Sequence, residues 1–160
     1  AVGITGLMEK TVVLDISRQL QRLLLDSGAI AVMTRTKDVY VSLPSRVETA
    51  EFNRADLFIS VHANASSTNR SASGTETYYY GYDSQRLAAL IQNEVVRELG
   101  LRDIGVKYGN FYVIRETTMP SVLVELGFLT NSHDESILRD PYYQNKSALG
   151  IFKGVEAYYR

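Results

Sequence analysis

Two glutamates and a histidine stand where an α/β chain can use them: Glu9, His62 and Glu125. His62 ends an apolar run, Ala55 to Asn64, whose Leu57, Ile59 and Val61 point one way and whose Phe58, Ser60 and His62 point the other. Glu125 closes a second apolar run, Pro120-Ser121-Val122-Leu123-Val124. In open α/β sheets the ligand crevice lies beyond the carboxyl ends of the strands, so both residues are placed to enter it. Glu9 lies one turn before Val13, on the apolar face at the start of a helix. The helix dipole favours an acidic residue there, so Glu9 reads either as a dipole partner or as a metal ligand or buried ion pair. His62 likewise reads as a hydrogen-bonded strand end or a ligand, and Glu125 as a salt-bridge partner of a residue such as Arg115 or a site carboxylate. Glu and His are oxygen and nitrogen donors suited to zinc. A catalytic zinc usually has three protein ligands plus water, with a separate carboxylate to take the proton. These residues reach a hydrolytic zinc site one ligand short. The second histidine, His133, lies in Ser132-His133-Asp134-Glu135, which has capping-box spacing, and reads as a helix-start residue.

The elements that must position these groups follow from the pattern along the chain. Residues 7–26 form a helix with Val13, Ile16, Leu20 and Leu23 or Leu24 on its apolar face, stopped by Gly28. Residues 29–34 (Ala-Ile-Ala-Val-Met-Thr) read as a buried strand, and Pro44 opens a short helix to about Asn53. The run ending at His62 is apolar on both parities, as in an interior strand of a parallel sheet. Residues 64–74 are a polar loop. Gly74 to Tyr80 is a strand rich in Thr and Tyr, read as sheet surface or as a contact for a sugar or peptide. Residues 84–99 are an amphipathic helix ended by Gly100, residues 111–114 a short strand, and residues 120–125 the last strand. Asp140-Pro141 begins the final helix. Strands alternating with helices predict an α/β three-layer sandwich in one domain, residues 1–160.

Composition narrows the function classes. The chain has 160 residues, a formal net charge of −1 and no long basic run, so there is no electrostatic case for nucleic acid or an anionic membrane. It has no cysteine, which removes disulfides, thiolate ligands and a cysteine nucleophile. No apolar run reaches the roughly 20 residues that span a bilayer. A serine hydrolase fits poorly, because no Gly-x-Ser-x-Gly elbow occurs.

The set Leu7-Met8-Glu9-Lys10, Thr34-Arg35, Leu43-Pro44-Ser45-Arg46-Val47, Ala55 to Asn64, Gly74 to Tyr80 and Met119 to Asn131 resembles the zinc-dependent N-acetylmuramoyl-L-alanine amidases of bacterial cell walls, the Amidase_3 type, over essentially the whole chain. The resemblance implies a mostly parallel sheet of about six strands flanked by helices. It implies that Glu9 and His62 bind one Zn2+ and that Glu125 is the catalytic carboxylate. The implied reaction is hydrolysis of the amide between the lactyl group of N-acetylmuramic acid and the L-alanine of the stem peptide, outside the cytoplasm, on a peptidoglycan strand. Family members carry a further histidine ligand in a Gly-His-Gly segment on an opening strand. No such segment occurs here, so a third protein ligand is expected upstream of Ala1 and the domain is read as N-terminally incomplete. A regulatory or wall-targeting domain outside the chain, and no inhibitory helix within it, are also expected. The competing reading is a non-catalytic peptidoglycan-binding module of the same fold.

Overall fold

The computed structural model describes residues 1–160. Helix α1 (Glu9–Asp26) is followed by α2 (Leu43–Phe52), β1 (Phe58–Asn64), β2 (Thr75–Tyr79), a 3₁₀ turn (Tyr82–Ser84) and α3 (Gln85–Leu99). Then come β3 (Asp103–Tyr108), the single turn α4 (Tyr112–Arg115), β4 (Ser121–Phe128), α5 (Ser132–Arg139) and α6 (Pro141–Tyr158). The sheet order is β1-β4-β2-β3. β1 and β4 run parallel, as do β2 and β3, and the two pairs meet antiparallel at β2 and β4. No helix is long and apolar enough to cross a membrane.

The period-2 alternation of strands divides the core in two. One face of the sheet carries Val122, Val124, Leu126 and Ala63 into the main cluster, with Val12, Ile16 and Leu20 of α1, Leu87, Ile91 and Val95 of α3, and Ile151 of α6. The other face carries Phe58 and Leu123 against Ala50 of α2 and Val113 and Ile114 at α4. This gives three layers, as expected. In α1 the fully buried stripe is Val12, Ile16 and Leu20, at steps of four, while Val13, Leu23 and Leu24 lie at its margin.

Helices α3 and α6 cross with their backbones in contact. A Cβ on Gly154 would lie 2.5 Å from the Ile91 Cα, and one on Gly150 would lie 2.8 Å from the Val95 Cα. Neither obstacle is a flexible side-chain end. Gly154→Ala is therefore expected to destabilise the fold by about 1–3 kcal/mol, because overpacking outweighs the better helix propensity of alanine. A urea titration reads this directly; an unchanged or higher midpoint would contradict the packing.

Five expectations need correction. The sheet has four strands, not about six. Residues 29–34 are not a strand: Ile30 is 94% and Val32 54% exposed. The reason is the lack of a ladder partner. β1 pairs with β4 on one side only, so it is an edge strand and not an interior one. Its free side faces a cleft of about 1190 Å³ lined by Leu57, Ile59, Val61 and residues 29–34. With no strand beside it, this segment turns to a side chain: Gln21 donates to the Ala31 carbonyl. Residues 111–114 form no strand either. The amide of Arg115 bonds back to the Phe111 carbonyl, and the helical turn lets the adjacent Val113 and Ile114 both reach the second cluster. Packing overrides their β-propensity. Finally, Ser132 and Glu135 make no capping box. Asn131 is the cap, accepting from the amides of His133 and Asp134. Glu135 turns inward to accept from the Thr5 amide and hydroxyl. His133 is exposed in the first turn of α5, as expected.

Candidate active site

Register brings the predicted strand residues together. His62 of β1 lies opposite Glu125 of β4, and Glu125 lies opposite Glu76 of β2. Side chains directly opposite one another share a face, so imidazole, carboxylate and carboxylate form a row across three strands. α1 supplies the fourth group from its first residue. The Glu9 Oε1 is 3.0 Å from the His62 Nδ1 and accepts from the Ala63 amide at 3.3 Å. The other oxygen of Glu9 lies 2.9 Å from the Ala1 nitrogen. The His62 Nε2 lies 3.0 Å from the Ser60 hydroxyl.

The carboxylates are tuned in opposite directions. Burial pushes the Glu9 carboxyl up, but the hydrogen bond and charge of His62 oppose it, and its pKa lies below the ordinary carboxylate value. Glu125 is pushed up to about 7, first by burial and then by the charges of Glu9 and Glu76, against the pull of His62. Its Oε2 is buried and has no hydrogen-bond partner. Arg115 does not pair with it, because its guanidinium is engaged by Glu116 and Asn110. Glu76 is better served. Its oxygens accept from Asn64 and the Tyr78 hydroxyl at 2.9 Å each and from the Lys107 ammonium at 2.5 Å. Burial and the Glu76 acceptor both raise the pKa of the Tyr78 phenol.

Glu9 and His62 converge as a carboxylate and an imidazole, which is the donor chemistry zinc takes. The Glu125 carboxylate beside them keeps one buried oxygen with no hydrogen-bond partner. The donors fit zinc in kind but are two in number: no group of three His, Cys, Asp or Glu side chains gathers to hold a metal. Sequence reasoning assembled Glu9, His62 and Glu125 but missed Glu76, Asn64 and Lys107. The parity of Glu76 with Tyr78 was visible; the antiparallel register that brings it beside Glu125 was not. The tyrosine run is not plain sheet surface. Tyr78 points to Glu76 and meets Phe111 edge-on at 4.9 Å, Tyr79 packs against the main cluster, and Tyr80 lies 5.4 Å from Tyr108.

Comparison with known proteins identifies the family. A family model for N-acetylmuramoyl-L-alanine amidase, Amidase_3, matches residues 1–157. The chain is 46% identical over 164 residues to N-acetylmuramoyl-L-alanine amidase LytC of Bacillus subtilis, covering all of this chain and 33% of that protein. It is 47% identical over 163 residues to the uncharacterized protein YqiI of the same organism, covering 99% of this chain and 78% of that one. The chain thus spans about a third of LytC. Among solved structures, the catalytic domain of the N-acetylmuramoyl-L-alanine amidase CwlV from Bacillus (Paenibacillus) polymyxa var. colistinus matches with a TM-score of 0.96 at 40% identity, covering 99% of this chain and 89% of that one. The N-acetylmuramoyl-L-alanine amidase AmiC2 of Nostoc punctiforme also matches with a TM-score of 0.96, at 37% identity, covering 99% and 88%. By its sequence over nearly its full length, the chain belongs to the Amidase_3 family of N-acetylmuramoyl-L-alanine amidases.

Proposed function

We propose that this protein hydrolyses the amide between the lactyl group of N-acetylmuramic acid and the L-alanine of peptidoglycan stem peptides. In this reading Glu9 and His62 are two ligands of one zinc ion and Glu125 is the proton-transferring carboxylate. The observation that carries it is Glu125 itself: a carboxylate with one buried, unpartnered oxygen, in register beside His62, whose ring already meets Glu9.

A bound zinc would supply Lewis acidity, which acidifies water and polarises a carbonyl. The protein's own groups do the rest. The Ser60 hydroxyl at the His62 Nε2 orients the ring, since the partner on one side of an imidazole fixes it, and leaves Nδ1 facing Glu9. Glu125, with a pKa near 7, is matched to take a proton from the attacking water and hand it to the leaving nitrogen. Such general acid–base transfer contributes roughly 10²–10⁴-fold. Two protein donors leave room for a third ligand, as a catalytic zinc usually has, and the free edge of β1 faces a cleft along Leu57, Ile59 and Val61. Action on the wall polymer implies a location outside the cytoplasmic membrane.

A chelator experiment tests the metal requirement. Purified walls are expected to clear with the zinc-loaded full-length protein, to stop clearing with excess chelator, and to resume on zinc addition. Clearing that ignores the chelator would refute the zinc assignment. The two-donor count favours one second reading, a module that binds walls without cutting them; sedimentation with walls and no release of stem peptides would identify it.

A further inference from the structure

Glu76 is a glutamate with 4% exposure, set directly opposite Glu125 in the sheet. Stability alone gives no reason for it. Like charges directly opposite each other weaken a strand pair, and a buried ion pair is often no better than well-packed apolar side chains of the same volume. Yet three donors converge on this carboxylate, from Asn64, Tyr78 and Lys107, while its neighbour Glu125 keeps an oxygen with none.

The Asn64 bond has an unusual course. Asn64 belongs to β1 and Glu76 to β2, and β4 lies between them. The bond therefore crosses over β4. It does so at the point where the β1–β4 register breaks, from His62 opposite Glu125 to Asn64 opposite Phe128. The backbone there is tied down as well: the Leu129 amide donates to the Asn64 carbonyl at 2.8 Å, and the Asn64 Oδ1 accepts from the Ala65 amide at 2.8 Å. Glu125 is thus flanked by His62 on one side, by Glu76 on the other, and by the Asn64–Glu76 bond beyond its end. Lys107 stands on β3 opposite Tyr78, two residues beyond the Gly105 that faces Glu76, and its ammonium reaches the Glu76 Oε2 at 2.5 Å.

We infer that Glu76 is a positioning residue: clamped by Lys107 and bonded to Asn64 across β4, it holds the end of the His62 strand and confines the Glu125 carboxylate for proton transfer. The inference rests on the amidase reading. Catalytic groups tolerate little misplacement, and a shift of about 1 Å can cost about 10²-fold. Glutamine in place of Glu76 keeps the shape but has one oxygen for three donors, so its amide nitrogen must face the Lys107 ammonium or the Asn64 amide.

The test compares wild type, Glu76→Gln and Lys107→Gln in the full-length, zinc-loaded protein, reading kcat and KM on soluble wall fragments, zinc content, and amide hydrogen exchange. For both variants kcat is expected to fall roughly 10–100-fold with KM within about twofold of wild type. Zinc content stays the same, and exchange at Asn64 and Ala65 accelerates while the core of β4 stays protected. An unchanged kcat in a folded variant overturns the proposal. So does a loss of kcat matched by faster exchange throughout the sheet, which is what a purely structural pillar would give. Should Glu76→Gln fail to fold, Lys107→Gln alone decides by the same criteria. If the wild type cuts nothing, the amidase reading falls, and exchange at Asn64 and Ala65 still decides whether the clamp exists.

Discussion

Glu125→Gln is expected to remove most of the hydrolysis and, in the metal-free protein, to stabilise the fold. Both effects come from one cause. Burial and the neighbouring charges of Glu9 and Glu76 lift the Glu125 pKa to about 7, above the ordinary carboxylate value of 4.5. Between those values the folded chain holds a proton that the unfolded chain has released. The free energy of folding therefore worsens as pH rises through this window, and the cost is fully present above it. Glutamine never ionises, so it escapes the cost. At about 1.4 kcal/mol per pH unit, the metal-free variant should be more stable than wild type by roughly 3–4 kcal/mol at pH 8. The difference should vanish near pH 4. Activity moves the other way. Glutamine can neither take the proton of the attacking water nor return it to the leaving nitrogen, so kcat should fall by roughly 10²–10⁴-fold with zinc content unchanged. Denaturant titrations at the two pH values and a kinetic assay check the two halves separately. A variant that is fully active, or one that is less stable at pH 8, would contradict the assignment.

His62→Ala carries the second large effect. It removes one of the two donors that meet at 3.0 Å, and leaves the Glu9 Oε1 with the Ala63 amide. Zinc affinity of the full-length protein should fall by at least about 10²-fold, beyond the 10–100-fold typical of losing an outer partner. Elemental analysis after dialysis reads the loss. Glu9→Gln should also lose zinc but for a different reason: it keeps an oxygen near the imidazole and loses the charge. The pair distinguishes a metal site from a simple ion pair. If both variants retain stoichiometric zinc, the ligands lie elsewhere.

Much of this was readable in the residues, and for identifiable reasons. β1 and β4 are apolar on both parities, α1 and α3 bury stripes at helical spacing, and Gly100 stops α3 in a left-handed conformation at φ 66°. Those signals are local, and they placed Glu9, His62 and Glu125 at element ends, where register and helix start then joined them. What failed depends on partners. Residues 29–34 have the composition of a strand but no strand beside them to complete a ladder. Phe111 to Ile114 is apolar enough for a strand, yet the second cluster lies on one side only and a helical turn serves it better. β3 escaped notice because Gly105, at φ 93°, interrupts its alternation and much of the strand is exposed. Glu76 is the instructive miss. Nothing in Thr75-Glu76-Thr77-Tyr78 says which residue of another strand it will face, and that pairing places it at the site.

The measurement that tests the central claim most directly is end-group analysis of purified peptidoglycan digested with the zinc-loaded full-length protein. Cleavage of the lactyl–alanine amide exposes one new amino terminus per cut, and that terminus is L-alanine, with no new reducing sugar. The account predicts L-alanine amino ends that accumulate with time and are absent from digests with Glu125→Gln. New reducing ends, or new amino termini on any other residue, would contradict it.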